Sequence, residues 1–462
     1  MPRLPTWSSR GRLRRHNRSV YDDTIVAIAT AAGEAGIGVV RLSGPDSLSI
    51  GQRLFRPSAK ACAYDSHQLY HGHVSDGAEV VDEVLLAYMK APRSYTAEDV
   101  VEIHGHGGPA PLERILHLSV QNGARLANPG EFTLRAFLNG RLDLAQAEAV
   151  ADVIQARSDA SLRLAVNQLS GRLSRAVNDV RRKALGVLAQ LEANIDFSED
   201  DVPPASAAKL LVELRSAHQD LCRLLRAADE GILYRRGARV AIVGRPNAGK
   251  SSLLNALLRT DRAIVTPIAG TTRDTIEETI NLRGLPVVLV DTAGITDTVD
   301  PVEAIGIDRS RQAIEDADLV LFVYDAAAGW TNADAELLPR AKPLVLAANK
   351  CDLLSDATGE RALSVSALTG EGLGELETEL YRLLAPSSST DDILVNNLRH
   401  KTLLEEADQH LRDAMASVEQ QRAADFICID LRAALGALGA ITGTEVSESL
   451  LDEIFSRFCI GK

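Results

Sequence analysis

Apolar and polar positions follow three different rhythms along the chain. Over residues 22–139, short apolar runs fit for strands, such as Thr24 to Ala29, Gly38 to Leu42 and Val100 to Ile103, alternate with helical stretches, which predicts an α+β domain. Over 140–236 the period lengthens to that of a helix. Leu173, Val177, Val180, Ala184, Leu188 and Leu191 step by three or four and share one face, until the acidic stretch Ser198 to Pro204 breaks the run. Over 237–390 strand and helix patterns alternate again, as in a doubly wound α/β sheet, and the region closes on a Pro-Ser-Ser-Ser-Thr-Asp-Asp linker. Beyond Asp392 there is no proline and Leu403 to Asp430 is largely helical in pattern. Residues 391–462 therefore read as the second part of the helical domain, interrupted by the α/β region as an insertion. Such an insertion lets motion in the α/β region pass into the helices through two chain crossings.

Chemistry concentrates in the α/β region. Gly244-Arg245-Pro246-Asn247-Ala248-Gly249-Lys250-Ser251 stands between an apolar run, Arg239 to Val243, and a helical pattern, Ser251 to Leu258. This is the strand-to-helix context of a P-loop. Gly244 and Gly249 allow successive N–H groups, from Asn247 to Ser252, to turn toward phosphates. Lys250 supplies a point charge for the β/γ oxygens, and Ser251 a hydroxyl for magnesium. An ordinary Gly-rich turn is the bland alternative, and the downstream motifs argue against it. Asp291-Thr292-Ala293-Gly294 follows the apolar run Val287 to Val290, where a carboxylate reaches the magnesium shell and the Gly294 N–H the γ-phosphate. Asn349-Lys350-Cys351-Asp352 follows Leu344 to Ala347, and the Asp352 carboxylate accepts from both N1–H and the exocyclic amine of guanine. Adenine would leave that carboxylate unpaired, so GTP is preferred to ATP. Ser366-Ala367-Leu368 completes the base pocket with backbone amides. Thr266-Pro267-Ile268-Ala269-Gly270-Thr271-Thr272 occupies the first switch loop, with Thr272 as the second magnesium hydroxyl.

Composition narrows the setting. A chain of 462 residues with 45% hydrophobic content is long enough for two or three domains with real cores. No apolar run approaches the roughly 20 residues that span a bilayer, so no membrane role is expected. Cys62, Cys222, Cys351, Cys428 and Cys459 are odd in number and form no CxxC pair, which suits a reducing cytoplasm without structural zinc. His104 and His106 lack third and fourth ligands for a metal and read as turn residues. The net charge of −13 argues against nucleic-acid contact over the whole surface, so any such contact is local or shared. The basic segment is 1–21, with Arg3, Arg10, Arg12, Arg14, Arg15 and Arg18 and expected disorder; a plain extension is favoured over an RNA-binding arm or an organellar transit peptide.

Ile295 follows the Asp291 motif where many GTPases carry a water-orienting Gln. The motifs resemble those of GTPases with a hydrophobic substitution there, some of which use bound potassium as the missing charge. Three further segments narrow the match: Phe458-Cys459-Ile460-Gly461-Lys462, Pro129-Gly130-Glu131-Phe132 through Leu142-Asp143-Leu144-Ala145-Gln146-Ala147-Glu148, and Gly105-His106-Gly107-Gly108-Pro109. From about Asp22 to Lys462 the chain resembles the MnmE (TrmE) family of tRNA-modification GTPases.

The resemblance implies an amino-terminal α+β domain that dimerises and binds a 5-formyl or methylene tetrahydrofolate, a discontinuous helical domain, and an inserted Ras-like GTPase domain. It implies potassium held by the Asn247 and Thr271 side chains with the carbonyls of Thr266 and Ile268. Glu303 becomes the catalytic glutamate that orients water, although taken alone it reads as a solvated helix carboxylate. Arg41, Glu102, Arg141 and Lys462 match folate-contacting positions, with Arg141 where some members carry Lys, which alters reach and fork geometry. By their residue types alone, these four would read as surface ion pairs. Cys459 is either a nucleophile or an apolar filler beside Phe455 and Phe458, and the resemblance places it near the modification chemistry. The implied partners are a second copy of the chain, an FAD-containing MnmG-type protein in a heterotetramer or larger complex, and tRNA. The rival reading is an RNA- or ribosome-binding assembly switch without modification chemistry.

Overall fold

The computed structural model describes residues 22–59, 63–196, 206–226, 228–260, 277–291, 313–336, 338, 342–354, 362–385 and 394–462. The chain divides into two compact units. One comprises the residues up to Ala151 with 169–218 and 406–462, and the other comprises 152–168 with 219–405.

The first unit is built on strands β1 (Ile25–Ile28), β2 (Ala35–Ser43), β3 (Phe55–Pro57), β4 (Gln68–Asp76), β5 (Glu79–Met89), β6 (Val100–Gly107) and β7 (Arg125–Leu126). They form one sheet in the order β3-β4-β5-β6-β2-β1-β7, antiparallel except for the parallel β1–β7 pair. Inward Val40, Leu42, Val101 and Ile103 meet Ile50 and Leu112, Ile115 and Leu118 from the helices Ser47–Leu54 and Pro109–Gln121. Full burial of such side chains contributes about 1.5–3 kcal/mol each. The strand period of two then sends Arg41 and Glu102 to the opposite face, and the β2–β6 register makes them direct cross-strand partners.

His104 and His106 do not lie in a turn, contrary to the sequence reading, because β6 continues to Gly107. The glycines of Gly-His-Gly fall on inward positions of the alternation, where Gly105 and Gly107 are buried, so the strand period runs through them. Neither histidine forms part of a metal cluster among the described residues. His104 instead pairs with Glu102 at 3.1 Å, and His106 with Asp82 at 2.6 Å.

The helical stripe anticipated in sequence forms the helix Arg172–Asp196, with Leu173, Val177, Val180, Ala184, Leu188 and Leu191 all buried. Elsewhere in this unit the helix Glu131–Leu138 packs its Ala136 and Phe137 with Leu451, Ile454, Phe455 and Phe458 from the last helix and the tail beyond it. The tail is pinned by backbone bonds: Phe132 N–H donates to Lys462 O at 2.9 Å and Gly130 N–H to Cys459 O at 3.4 Å. Gly461 takes φ +94°, and a Cβ there would stand 2.5 Å from Ile28 O, so only glycine lets the tail lie against β1. This contact ties two of the distinctive sequence segments into one structural element.

The second unit carries β8 (Ala238–Val243), β9 (Glu277–Leu282), β10 (Leu285–Asp291), β11 (Leu319–Asp325), β12 (Leu344–Asn349) and β13 (Leu363–Val365). The sheet order is β13-β12-β11-β8-β10-β9, parallel except for β9 against β10. All seven β10 residues are buried, as expected of a strand covered on both faces. On one face, Leu253, Leu254 and Leu257 of the helix Lys250–Thr260, Leu376 and Leu380 of Leu373–Leu384, and Ala160 and Leu164 of Asp159–Leu169 share a core with Val240 and Ile242. On the other, Ala241 and Val243 pack with Val320, Phe322 and Ala317.

Candidate functional site

The parallel strands of the second unit end together. Register pairs Asp291 with Ile242, Asp325 with Asn349, and Asn349 with Val365, so the segments following β8, β10, β11, β12 and β13 emerge on one edge of the sheet. Ligands of open α/β sheets bind at that edge. Between β8 and the helix Lys250–Thr260 the chain turns through Asn247 at φ +63° and Gly249 at φ +87°. A Cβ on Gly249 would stand 2.2 Å from Asn349 Nδ2, which fixes glycine there. Lys250 is buried and donates from Nζ to Gly244 O at 2.9 Å and Arg245 O at 3.0 Å, which holds its charge at the loop.

The base-reading motif is clamped to the same loop. Asn349 Nδ2 donates to Ala248 O at 2.9 Å, while its Oδ1 accepts from Ala367 N–H at 3.1 Å. Lys350 Nζ donates to Asn247 O at 2.9 Å and to Asp325 Oδ2 at 2.6 Å. Burial alone would raise the Asp325 carboxyl, but Lys350 and the amides of Ala327 and Ala328 hold it below its ordinary range. Ser366 Oγ donates to Asp352 Oδ1 at 2.5 Å, so the carboxylate expected to read guanine is oriented by a side chain, and Thr369 N–H donates to that hydroxyl at 3.2 Å. Leu368 is exposed beside it. Two residues missed in the sequence reading support the loop: Arg245 Nε donates to the fully buried Asp334 at 2.8 Å, and Asp325 anchors Lys350. Neither belongs to a local motif; Asp334 lies 89 positions from its partner, and only the fold brings the two together.

Ser251 Oγ donates to Asp291 Oδ2 at 2.8 Å, which sets two hard oxygen ligands side by side. Magnesium takes this donor set. Of the residues expected to hold potassium, Asn247 is exposed on the loop. Thr266, Pro267, Ile268, Ala269, Gly270, Thr271 and Thr272 lie outside the described residues, as do Thr292, Ala293, Gly294 and Glu303.

A second constellation lies in the first unit. Arg41 Nε donates to Glu102 Oε1 at 2.7 Å, and the Arg41 guanidinium carbon stands 5.4 Å from the Tyr95 ring centroid and 5.8 Å from that of Phe132. Arg141 is 5.0 Å from the Tyr95 centroid, and Lys462 Nζ is 6.0 Å from it. Three of the four residues matched to folate contacts therefore converge on one tyrosine, and Glu102 joins them through Arg41. Arg41 Nη1 is buried without a hydrogen-bond partner among the described residues, an orphaned donor of the kind a ligand carboxylate or ring acceptor satisfies. Burial would raise the Glu102 carboxyl, yet His104 and Arg41 hold it below its ordinary value, ready to accept ring N–H donors. Burial, reinforced by Arg41, pushes the Lys462 ammonium below its ordinary range. A ligand bearing carboxylates and a donor-rich ring, as a tetrahydrofolate does, fits these groups. Cys459 is a free, exposed thiol, whereas its neighbours Phe455 and Phe458 are buried. Tyr95 was not singled out in sequence, since a lone Tyr in Ser94-Tyr95-Thr96 belongs to no motif.

The doubly wound sheet, the glycine-turned loop into Lys250 and the oriented Asp352 define a P-loop GTPase. Comparison with known proteins refines the class. The "GTP-binding protein TrmE N-terminus" family matches residues 24–141 and the "MnmE helical domain" family residues 144–459. The chain is 50% identical to the tRNA modification GTPase MnmE of Roseiflexus castenholzii, over 96% of this chain and 100% of that protein. It is 46% identical to the protein of the same name from Desulforamulus reducens, again over 96% of this chain and 100% of the relative. A solved Era protein from Aquifex aeolicus, bound to GDP and aluminium fluoride, matches 37% of this chain and 66% of its own at 30% identity, with a TM-score of 0.28. The chain belongs to the MnmE (TrmE) family. Among the described residues, no helix is long and apolar enough to cross a membrane.

Proposed function

We propose that this chain is a potassium-stimulated GTPase that, with an FAD-containing MnmG-type partner, adds a carboxymethylaminomethyl-type group to carbon 5 of the wobble uridine of certain tRNAs. The observation that carries the reading is the pairing, within one chain of this family, of a guanine-reading P-loop with an amino-terminal pocket of Arg41, Glu102, Arg141 and Lys462 suited to a folate. Asp352 and Ser366 select guanine, and Lys250 meets the β/γ oxygens. Ser251, Asp291 and Thr272 would hold magnesium, which would shield charge on the phosphates. Asn247, Thr271 and the carbonyls of Thr266 and Ile268 would hold potassium, which would supply a fixed cation where an arginine finger acts in other GTPases. Glu303 orients the attacking water. Arg41, Glu102, Arg141 and Lys462, in a domain that would also dimerise, would hold a 5-formyl or methylene tetrahydrofolate, which would supply the one-carbon unit, with Cys459 beside that chemistry. The redox step belongs to the partner's flavin. The domains are taken as 22–139, 140–236 with 391–462, and 237–390.

GTP turnover by the purified protein in KCl and in NaCl at equal ionic strength tests the catalytic half, with Asn247→Ala and Glu303→Ala alongside. Turnover that is strong in potassium, weak in sodium and lost in both variants supports it. Equal rates in both salts remove potassium from the mechanism.

A further inference from the structure

We propose that Tyr95 is the positioning residue of the amino-terminal pocket: its ring gathers Arg41, Arg141 and Lys462 into one fan of cations aimed at a carboxylate-bearing ligand. The inference rests on the folate reading and adds to it the residue that makes the pocket a preformed anion receptor. Cation–ring contacts occur about once per 70–80 residues, so three on one ring mark a built feature. Three like charges so close repel one another. Glu102 offsets one of them through its 2.7 Å pair with Arg41, and the negative face of the ring offsets part of the rest without consuming a hydrogen-bond donor. A carboxylate side chain in that place would neutralise the fan; an aliphatic one would leave the cations to splay apart.

The ring is itself held from several sides. Its hydroxyl hydrogen-bonds Thr133 Oγ1 at 2.8 Å. The next residue, Thr96, bonds Ser43 Oγ at 2.6 Å and accepts at its carbonyl from Asn139 Nδ2 at 2.8 Å. Ala97 turns the loop at φ +59°, and Ser94 Oγ donates across it to Glu98 O at 2.5 Å. Arg141 grips the same residue twice, stacked over its ring while Nη1 donates to Tyr95 O at 2.8 Å. A planar guanidinium supports both contacts at once, which a lysine ammonium does not. The receptor is thus ordered before any ligand arrives, which lowers the entropy lost on binding.

A purely structural role would have Tyr95 cover the small cluster of Ile25, Ala27, Ala127 and Phe132, against which it packs. Leucine retains that cover and loses the ring; phenylalanine retains both. The experiment is calorimetric titration of the full chain with 5-formyltetrahydrofolate at two ionic strengths, for wild type, Tyr95→Phe, Tyr95→Leu, Arg141→Lys and Arg41→Ala, with thermal unfolding midpoints recorded in parallel. Expected are affinity within about threefold of wild type for Tyr95→Phe, a loss of about 30-fold for Tyr95→Leu at an unchanged midpoint, and about 10-fold for Arg141→Lys. Wild-type affinity in Tyr95→Leu overturns the proposal while Arg41→Ala still reports on the folate reading. No binding by wild type, or undiminished binding in Arg41→Ala, sinks the folate reading itself. If Tyr95→Leu lowers the midpoint, Arg141→Lys decides, and undiminished affinity there overturns the proposal.

Discussion

Asp352 is the single side chain to which the proposal assigns nucleotide choice. Its carboxylate is oriented by Ser366 Oγ at 2.5 Å and the surrounding loop is fixed by Asn349, so the acceptor is placed before the base arrives. Asp352→Asn exchanges an acceptor for a donor: GTP affinity falls by about 100-fold or more, and xanthosine triphosphate, which carries a carbonyl in place of the amine, recovers most of the loss. Competition binding with the two triphosphates checks this, and equal loss for both would contradict the assigned contact. At this scale the sequence is legible where a residue stands in a motif. Lys250, Asn349 and Asp352 announce themselves through their neighbours. Tyr95, Asp334 and Ser366 Oγ do not, because their roles depend on partners that the fold supplies.

Among the elements, strands were legible from apolar runs, and the helix Arg172–Asp196 from its stripe. Register was not, and register is what sets Arg41 opposite Glu102. The strand β6 was read short because its inward positions carry glycine, which has no side chain to mark the alternation. Two predictions belong here. In Gly461→Ala the new Cβ meets Ile28 O at a φ of +94°, so the tail lifts from β1; stability falls by about 1–3 kcal/mol and folate affinity falls with it, because Lys462 is displaced. Urea unfolding and folate titration of the same preparation measure both, and full affinity would show that Lys462 is not a contact.

The second concerns the helix Glu131–Leu138, anchored by a network in which the buried Arg135 bonds Asp23 at 2.5 Å and the buried Glu131 at 3.0 Å, and the exposed Arg125 bonds Glu131 at 2.7 Å. Burial would raise the Glu131 carboxyl, but Arg125, the Asn128 N–H and Arg135 hold it below its ordinary value. Its folded pKa is depressed, so its contribution is full above the unfolded value of about 4.3 and is lost as pH falls through the folded value. Acid titration of the unfolding midpoint should therefore decline below about pH 4 in wild type and more shallowly in Glu131→Gln, which also costs roughly 3 kcal/mol near neutrality. Parallel pH profiles would remove Glu131 from the acid response.

For the whole molecule, the proposal gives one chain two tasks: nucleotide turnover in the GTPase unit, and binding of an anionic, ring-bearing ligand by the amino-terminal cluster of Arg41, Glu102, Arg141 and Lys462. The proposal that both serve one tRNA modification is tested most directly by mass spectrometry of tRNA nucleosides. The cells compared lack the chain and are complemented with wild type, Lys250→Ala or Arg41→Ala at matched protein levels. The account predicts that the wobble-uridine modification disappears without the chain, returns with wild type, and stays absent or strongly reduced with either variant, since each disables one of the two sites. Unchanged wobble uridines in cells lacking the chain would contradict the modification reading and leave an assembly switch in its place.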